Sequence, residues 1–322
     1  MSGMELKYVY GPVISRRLGR SLGVDLVPHK VCSYDCVYCQ LGTTTHKTLE
    51  RREYIPAQSI LTELRQKLMQ QPEVDFITLS GSGEPTLNSA IKEVICGIKE
   101  MTAIPVAVLT NGSLLWMTEV QDTLMEADIV LPSLDAGDEA LFRYVNRPHP
   151  GLSFDRIVEG IRDFTRRFPG EVWLEVLLLA GVTGVKVEVK KIAELVERIG
   201  PAITHLNTVC RPPSEGFALP VSVEDLSSLQ GIFPGNVAII MEKTDQEMTQ
   251  AENSASRDGD ILALLSRRPC TSSEVASSLA IHPTEVLKRM ESLVESGKLR
   301  RIPAGGRYFY AIVRSKNVAS ES

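Results

Sequence analysis

Residues 31–40 read VCSYDCVYCQ, so that Cys32, Cys36 and Cys39 follow one another with the spacing C-x3-C-x2-C. Three clustered thiols suit an iron–sulfur cluster better than any other common site. A structural zinc takes four ligands, and no fourth Cys or His completes this segment, while a disulfide framework takes paired cysteines in a secreted chain. A [4Fe–4S] cluster usually takes four thiolates, so three would leave one iron open for a ligand that is not protein. A zinc knuckle and three buried structural cysteines are the alternatives.

The aromatic Tyr38 stands directly before the last cysteine, and with it the segment resembles the radical S-adenosylmethionine (SAM) enzymes. The resemblance implies an α/β fold, a partial (β/α)6-type TIM-like barrel. It implies that Cys32, Cys36 and Cys39 hold one [4Fe–4S] cluster whose open iron takes the amino and carboxylate groups of SAM. An electron from an external donor, a flavodoxin or a ferredoxin, would cleave SAM to methionine and a 5′-deoxyadenosyl radical that abstracts hydrogen from a substrate.

Gly83-Glu84-Pro85 resembles the G-G-E-P motif of the same enzymes, with Ser82 at the place of the first glycine. The resemblance implies that Glu84 and the Gly83 backbone hold the amino group of SAM. A carboxylate is the natural partner of an ammonium group, and glycine lets a backbone approach a ligand closely. An ordinary Gly-Glu-Pro turn is the alternative.

Asn111, Ser133 and Asp135 come directly after two further predicted strands. The resemblance implies that this region contacts the ribose and the carboxylate of SAM, and amide, hydroxyl and carboxylate groups can all bind a ribose diol. Together with Tyr38, Gly83 and Glu84 they complete the predicted SAM site. Turn formation is the alternative, because Asn-Gly and Asp-Ala-Gly are common turn sequences.

Two further segments could serve a substrate. Arg16 and Arg17 precede the cysteine segment, and guanidinium groups there could bind a phosphate or a carboxylate. Structural ion pairs are the alternative. The loop Asn146–Gly151 could cover the substrate.

Apolar runs alternate with helical patterns from about residue 22 to residue 242. The runs lack strict alternation, as is typical of parallel strands buried on both faces, and repeated strand–helix units predict a parallel α/β sheet. The predicted strands are Leu22–Val27, Asp75–Leu79, Val106–Thr110, Ile129–Pro132, Val172–Leu179, Leu206–Val209 and Val237–Met241. The predicted helices are Ala57–Gln70, Asn88–Met101, Thr118–Glu126, Phe154–Arg167, Val187–Ile199 and Ser222–Gln230.

The chain is predicted to form two domains: the barrel over residues 1–242, a polar linker over 243–258, a small domain over 259–314 and a tail over 315–322. The small domain shows three helical patterns, one opened by a capping box at Thr271–Glu274, and then a hairpin. This order resembles a winged helix-turn-helix.

The net charge of −5 is unevenly distributed. Residues 259–322 contain ten Lys and Arg against six Asp and Glu, a net charge of +4, whereas the rest contains 25 basic and 34 acidic residues, a net charge of −9. This split favours two domains with different partners. Residues 259–314 are expected to bind RNA or DNA, or alternatively a protein.

No apolar run reaches a membrane-spanning length, and residues 1–10 do not form a signal peptide. We therefore expect no membrane partner and a cytoplasmic location. Residues 9–240 resemble a radical SAM subgroup related to wyosine-base synthases, which act on tRNA. No cysteine precedes Cys32, whereas wyosine synthases use additional N-terminal cysteines, which argues against the same reaction.

The sequence thus predicts a radical SAM enzyme with an unassigned substrate, RNA being one candidate. Two alternatives stay open. The barrel could activate or modify a partner protein, or the chain could be a nucleic-acid-binding regulator that acts through its winged-helix domain.

Overall fold

The computed structural model describes residues 6–70, 72–241 and 258–313. The chain divides into two compact units, Met1–Lys243 and Thr244–Ser322. Within the described residues, every helix is too short or too polar to cross a bilayer.

The first unit is an α/β fold. Its strands are β1 Val9–Ser15, β2 Gly19–Val24, β3 Val31–Cys32, β4 His46–Lys47, β5 Phe76–Leu79, β6 Val106–Thr110, β7 Ile129–Pro132, β8 Glu171–Leu178, β9 Ile203–Thr208 and β10 Val237–Ile239. Its helices are α1 Ala57–Leu68, α2 Ile91–Met101, α3 Thr118–Leu124, α4 Glu139–Val145, α5 Phe154–Arg167, α6 Lys186–Ile199 and α7 Val223–Gln230.

Eight strands form one sheet in the order β1-β2-β5-β6-β7-β8-β9-β10. The strands from β2 to β10 are parallel to their neighbours, and β1 pairs antiparallel with β2 at one edge. Because neighbouring parallel strands end at the same edge, the turns that follow β2, β5, β6 and β7 lie side by side. The turns after β5, β6 and β7 contain Gly83, Glu84, Asn111, Ser133 and Asp135, and the chain after β2 continues into β3 and the cysteine segment. The parallel α/β sheet is confirmed.

The helices cover the sheet through apolar stripes at helical spacing. In α5, Phe154, Ile157, Val158, Ile161 and Phe164 are all buried, which corresponds to one helical face. The same spacing predicted this helix from the sequence, and the observed bounds are the predicted ones.

Four elements of the first unit were not predicted: β1, α4 and the two-residue strands β3 and β4. Strand β1 contains Gly11-Pro12, a pair that indicates a turn, but β1 is an edge strand and its register shifts between Tyr10 and Val13. An edge strand tolerates proline because the missing N–H is not needed for pairing on both sides. Helix α4 is seven residues long and buries only Phe142 and Val145, too few positions for a clear periodic pattern.

The second unit contains three helices followed by a two-stranded antiparallel hairpin, in the predicted order. They are α8 Asp258–Arg267, α9 Ser272–Leu279, α10 Pro283–Glu295, β11 Leu299–Ala304 and β12 Arg307–Ile312. The predicted capping box is confirmed, since Thr271 and Glu274 exchange side-chain and backbone hydrogen bonds at the start of α9. The predicted linker and tail lie outside the described residues, apart from Asp258 at the start of α8.

Candidate active site

The cysteine segment forms a loop between β3 and β4, which pair in parallel through Val31 and His46 and through Cys32 and Lys47. Within the loop, the Cys39 amide donates to the Cys36 carbonyl across 3.1 Å. The three cysteines are half-buried. The pairing of β3 with β4 joins the two ends of the loop and so fixes the backbone on which the cysteines are placed.

The segment that follows α4 forms backbone hydrogen bonds with the cysteine loop. The amides of Asp35 and Val37 donate to the carbonyls of Asn146 and Val145 at 3.0 and 2.9 Å, and the His149 amide donates to the Ser33 carbonyl at 2.8 Å. The loop Asn146–Gly151, predicted to cover a substrate, is therefore part of the support of the cysteine loop.

Each cysteine sulfur has its own nitrogen donor. Asn111 Nδ2 lies 3.5 Å from the sulfur of Cys32, and Asn146 Nδ2 lies 3.5 Å from the sulfur of Cys36. The ammonium of Lys30 lies 3.1 Å from the sulfur of Cys39. The three donors come from distant segments, since Lys30 precedes β3, Asn111 follows β6 and Asn146 follows α4. Sequence reasoning did not assign Lys30 or Asn146 to this role.

Burial dominates the acid–base behaviour of the thiols. It raises the pKa of Cys32 to about 12, with the nearby carboxylate of Glu84 acting in the same direction. It also raises the pKa of Cys36 well above its usual value, and the neighbouring Cys32 and Cys39 add to the effect. Binding of a metal cluster would therefore displace protons from these thiols.

The three thiols are the donor type that an iron–sulfur cluster takes. Among the described residues, no three side chains of His, Cys, Asp or Glu converge on one metal position. In a four-iron cluster each thiolate binds a different iron, so the sulfurs need to surround a common volume and not a common point. Nitrogen donors to the sulfurs are a usual feature around such clusters.

Glu84 is buried and engaged within the protein. Its Oε1 accepts from the Thr86 amide at 3.0 Å and from the hydroxyls of Thr86 and Thr110 at 2.6 Å, and its Oε2 accepts from the Asn111 amide at 2.8 Å. Burial raises the pKa of this carboxyl group, although the four hydrogen bonds act in the opposite direction. A carboxylate offers about four acceptor positions, so Glu84 joins the turns after β5 and β6. Its contact with the amino group of SAM stays a prediction.

The close packing around position 83 leaves no room for a side chain, which explains the glycine there. A Cβ atom at this position would stand 2.9 Å from Cγ2 of Val27 and 3.0 Å from the carbonyl carbon of Val31, and would overlap the Val31 oxygen. The next amide, that of Glu84, donates to that oxygen across 3.1 Å. The absent side chain thus allows the turn after β5 to lie directly on the strand that leads into the cysteine loop.

Tyr38, Asp135 and Asn146 form one buried network. The Tyr38 hydroxyl donates to Asp135 Oδ2, and Asn146 Nδ2 donates to the same oxygen across 2.9 Å. The second oxygen of Asp135 accepts from the Leu177 amide at 3.0 Å. Burial raises the pKa of the Asp135 carboxyl group, and these hydrogen bonds lower it. The network fastens the cysteine loop to the ends of β7 and β8.

The remaining predicted residues differ in how closely they approach the loop. Asn111 Nδ2 also donates to the Ser33 hydroxyl at 2.9 Å, so this residue contacts the loop directly. Ser133 lies in a backbone bridge with Glu175. The structure therefore brings Asn111, Glu84 and Cys32 together, and Asp135, Tyr38 and Cys36 together.

The two arginines that were candidates for a substrate anion contact polar groups of β8 and β9. Arg17 forms an ion pair with Glu175, and Arg16 Nη1 donates to Asn207 Oδ1 across 3.1 Å. Asn207 Nδ2 in turn lies 3.4 Å from Glu175 Oε1. The structural alternative of an ion-pair network is thus realised at these positions.

A family model and a full-length relative match this chain in sequence. The profile of the radical SAM superfamily matches residues 26–196. A UPF0026 protein of Methanocaldococcus jannaschii is 33% identical over 321 residues, which cover 97% of this chain and 98% of the relative. A crystal structure of a radical SAM methyltransferase from Sphaerobacter thermophilus is 18% identical, with a TM-score of 0.50 over 68% of this chain and 66% of that one. At this identity the likeness concerns the fold alone.

One relative is about twice as long as this chain. A protein named GTPase Obg of Brachyspira hyodysenteriae is 38% identical over 312 residues, which cover 97% of this chain and 46% of the relative. The chain thus spans about half of that protein. The sequence contains no G-x4-G-K-[S/T] phosphate-binding motif, so the name of that relative gives no reason to assign GTP hydrolysis here.

Proposed function

We propose that this chain, which belongs to the radical SAM superfamily and to its UPF0026 group, is an enzyme that cleaves SAM reductively at a [4Fe–4S] cluster held by Cys32, Cys36 and Cys39. Proteins of the superfamily bind such a cluster and SAM. When bound, the two cofactors supply a 5′-deoxyadenosyl radical for hydrogen abstraction. The observation that carries the proposal is the loop of three half-buried cysteines with one nitrogen donor at each sulfur.

The protein's own groups would hold and shield the cofactors. The loop presents three thiols from a backbone that is fixed on both sides, and Asn111 and Asn146 orient two of the sulfurs. The proposed SAM surface consists of the polar turns next to the loop, at Tyr38, Gly83, Glu84, Asn111, Ser133 and Asp135. We further propose that the sheet is the partial barrel of this superfamily and that a flavodoxin or ferredoxin supplies the electron.

The test is to measure iron, sulfide and 5′-deoxyadenosine on anaerobically reconstituted protein with dithionite and SAM. We expect about four irons per chain and 5′-deoxyadenosine in the wild type, and loss of both in Cys36→Ala. Cys96→Ala is the matched control, because Cys96 is a half-buried cysteine of α2 away from the loop. A wild-type protein without a cluster, or a Cys96→Ala protein as defective as Cys36→Ala, would refute the assignment.

We propose as a second function that the small unit is a winged helix that binds nucleic acid. Lys288 on α10 and Arg300 and Arg307 on the hairpin are exposed, and exposed cations at these positions of a winged helix suit phosphate contacts. An RNA substrate for the barrel, including tRNA, would agree with such a module. A protein substrate that the barrel activates or modifies is the alternative.

The salt dependence of binding tests whether the small unit binds nucleic acid. Replacement of Arg300 and Arg307 by Gln in the full chain should lower RNA or DNA affinity and reduce the slope of log K against log salt by roughly 1.5 to 2. An Arg166→Gln variant, altered on α5 of the first unit, is the control. No binding by the wild type at low salt would refute nucleic-acid contact through this unit.

A further inference from the structure

Lys30 is a buried cation whose ammonium group faces sulfur. Only 3% of the residue is exposed, and its Nζ lies 3.1 Å from the Cys39 sulfur. Among the described residues, no carboxylate forms an ion pair with it. A buried charge normally requires a partner of opposite sign. A thiolate cluster would provide that negative charge.

The backbone at Lys30 is also unusual. Its φ angle is +60°, in the left-handed region that residues with a side chain seldom adopt. The conformation is held from both sides, because the Lys30 amide donates to the Ser82 carbonyl at 2.6 Å and the Lys30 carbonyl accepts from the His46 amide at 3.1 Å. Strained residues of this kind collect at functional sites, and here the strain accompanies a side chain placed against a cysteine.

We propose that Lys30 is a positioning residue that fixes the Cys39 sulfur and raises the reduction potential of the cluster, an inference that rests on the function proposed above. Three thiolates leave the cluster with a net negative charge, and reduction by one external electron adds another. A cation that donates to a cluster sulfur stabilises the more negative state more strongly, and burial strengthens this interaction. No bond to Lys30 forms or breaks when the electron arrives.

The other two donors are weaker in the same role. The amides of Asn111 and Asn146 are uncharged and lie 3.5 Å from their sulfurs, compared with 3.1 Å for Lys30. Hydrogen bonds from charged donors are shorter and stronger than those from neutral ones. Of the three donors, Lys30 should therefore affect the potential most.

The test is an EPR-monitored redox titration of anaerobically reconstituted protein, with iron and sulfide measured on the same samples. At a fixed solution potential, Lys30→Met should lower the ratio of reduced to oxidised cluster about tenfold. This corresponds to a decrease of about 59 mV in the reduction potential of the cluster for one electron. Lys30→Arg, which keeps the charge, should stay near the wild-type potential. Lys92→Met is the matched control, because Lys92 is an exposed lysine of α2, outside the cysteine loop and the segments that support it.

An unchanged potential in fully loaded Lys30→Met protein overturns the proposal, and so does a shift of the same size in Lys92→Met. If Lys30→Met holds no cluster, Lys30→Gln is titrated by the same criterion. Loss of the cluster from both uncharged variants supports the proposal if Lys30→Arg retains it at the wild-type potential. Loss from all three variants overturns it. A wild-type protein without a cluster refutes the proposed function instead, so the two failures are distinguishable.

Discussion

Gly83→Ala tests whether the turn after β5 must lie directly on the cysteine loop. The added methyl group overlaps the Val31 oxygen and stands 3.0 Å from its carbonyl carbon, so the turn and Val31 have to move apart. The move breaks the hydrogen bond from the Glu84 amide to Val31, worth about 1 kcal/mol. Strain from overpacking adds about 1–3 kcal/mol, and the reduced freedom of the unfolded chain offsets about 0.4–1 kcal/mol. We expect the free energy of unfolding to fall by about 1–3.5 kcal/mol.

Tryptophan fluorescence measures this loss in the first unit alone, because the chain has two tryptophans, Trp116 and Trp173, and both lie there. Urea unfolding of the protein without cofactors therefore avoids the second unit, which would otherwise complicate a two-state treatment. The control is Gly231→Ala. Gly231 has a φ of −65° and open space at its Cβ position, so alanine should be neutral or stabilise by about 0.4–1 kcal/mol.

Two results would refute the reasoning. The first is a Gly83→Ala protein with the same urea midpoint as Gly231→Ala. The second is a destabilised Gly83→Ala protein that binds iron as fully as the wild type at a temperature where it is folded, since a displaced Val31 should also displace the adjacent Cys32.

Three further substitutions probe other buried groups. Burial and Arg17 lower the pKa of His205 from 6.5 to about 4. Between pH 6.5 and pH 4, His205 therefore binds a proton in the unfolded chain but not in the folded protein. The free energy of unfolding should fall by up to about 3 kcal/mol as the pH drops from 6.5 to 4. In His205→Gln this part of the pH dependence should vanish, and an unchanged profile would contradict the assignment. Tyr38→Phe leaves Asp135 one donor short and should cost about 1–3 kcal/mol in urea unfolding without loss of cluster iron. Thr110→Val removes a donor from the buried Glu84 carboxylate and should cost a similar amount; a wild-type urea midpoint would show that this bond contributes little.

The elements that repeat a clear pattern were predictable. Helix α5 shows apolar residues at helical spacing and has the predicted bounds, and the predicted strands of the parallel sheet all occur with small shifts at their ends. Strand β1 and helix α4 were missed, because β1 contains a Gly-Pro pair and α4 buries only two residues, so neither shows a clear pattern. In these two cases packing against the rest of the unit outweighs local preference.

The sequence alone determined what depends on residues close together in the chain. The C-x3-C-x2-C spacing places three thiols in one loop, and the capping box at Thr271 opens a helix, because each depends only on local geometry. Only the tertiary structure decided which groups face the sulfurs. Asn111 is 79 residues from Cys32, and Asn146 is 110 residues from Cys36. Strands β6 and β7 are parallel neighbours, so their carboxyl ends place Asn111 and Asp135 at one edge of the sheet, and Asp135 in turn accepts from Asn146 at the end of α4. No local pattern encodes a hydrogen bond between groups so far apart in the chain.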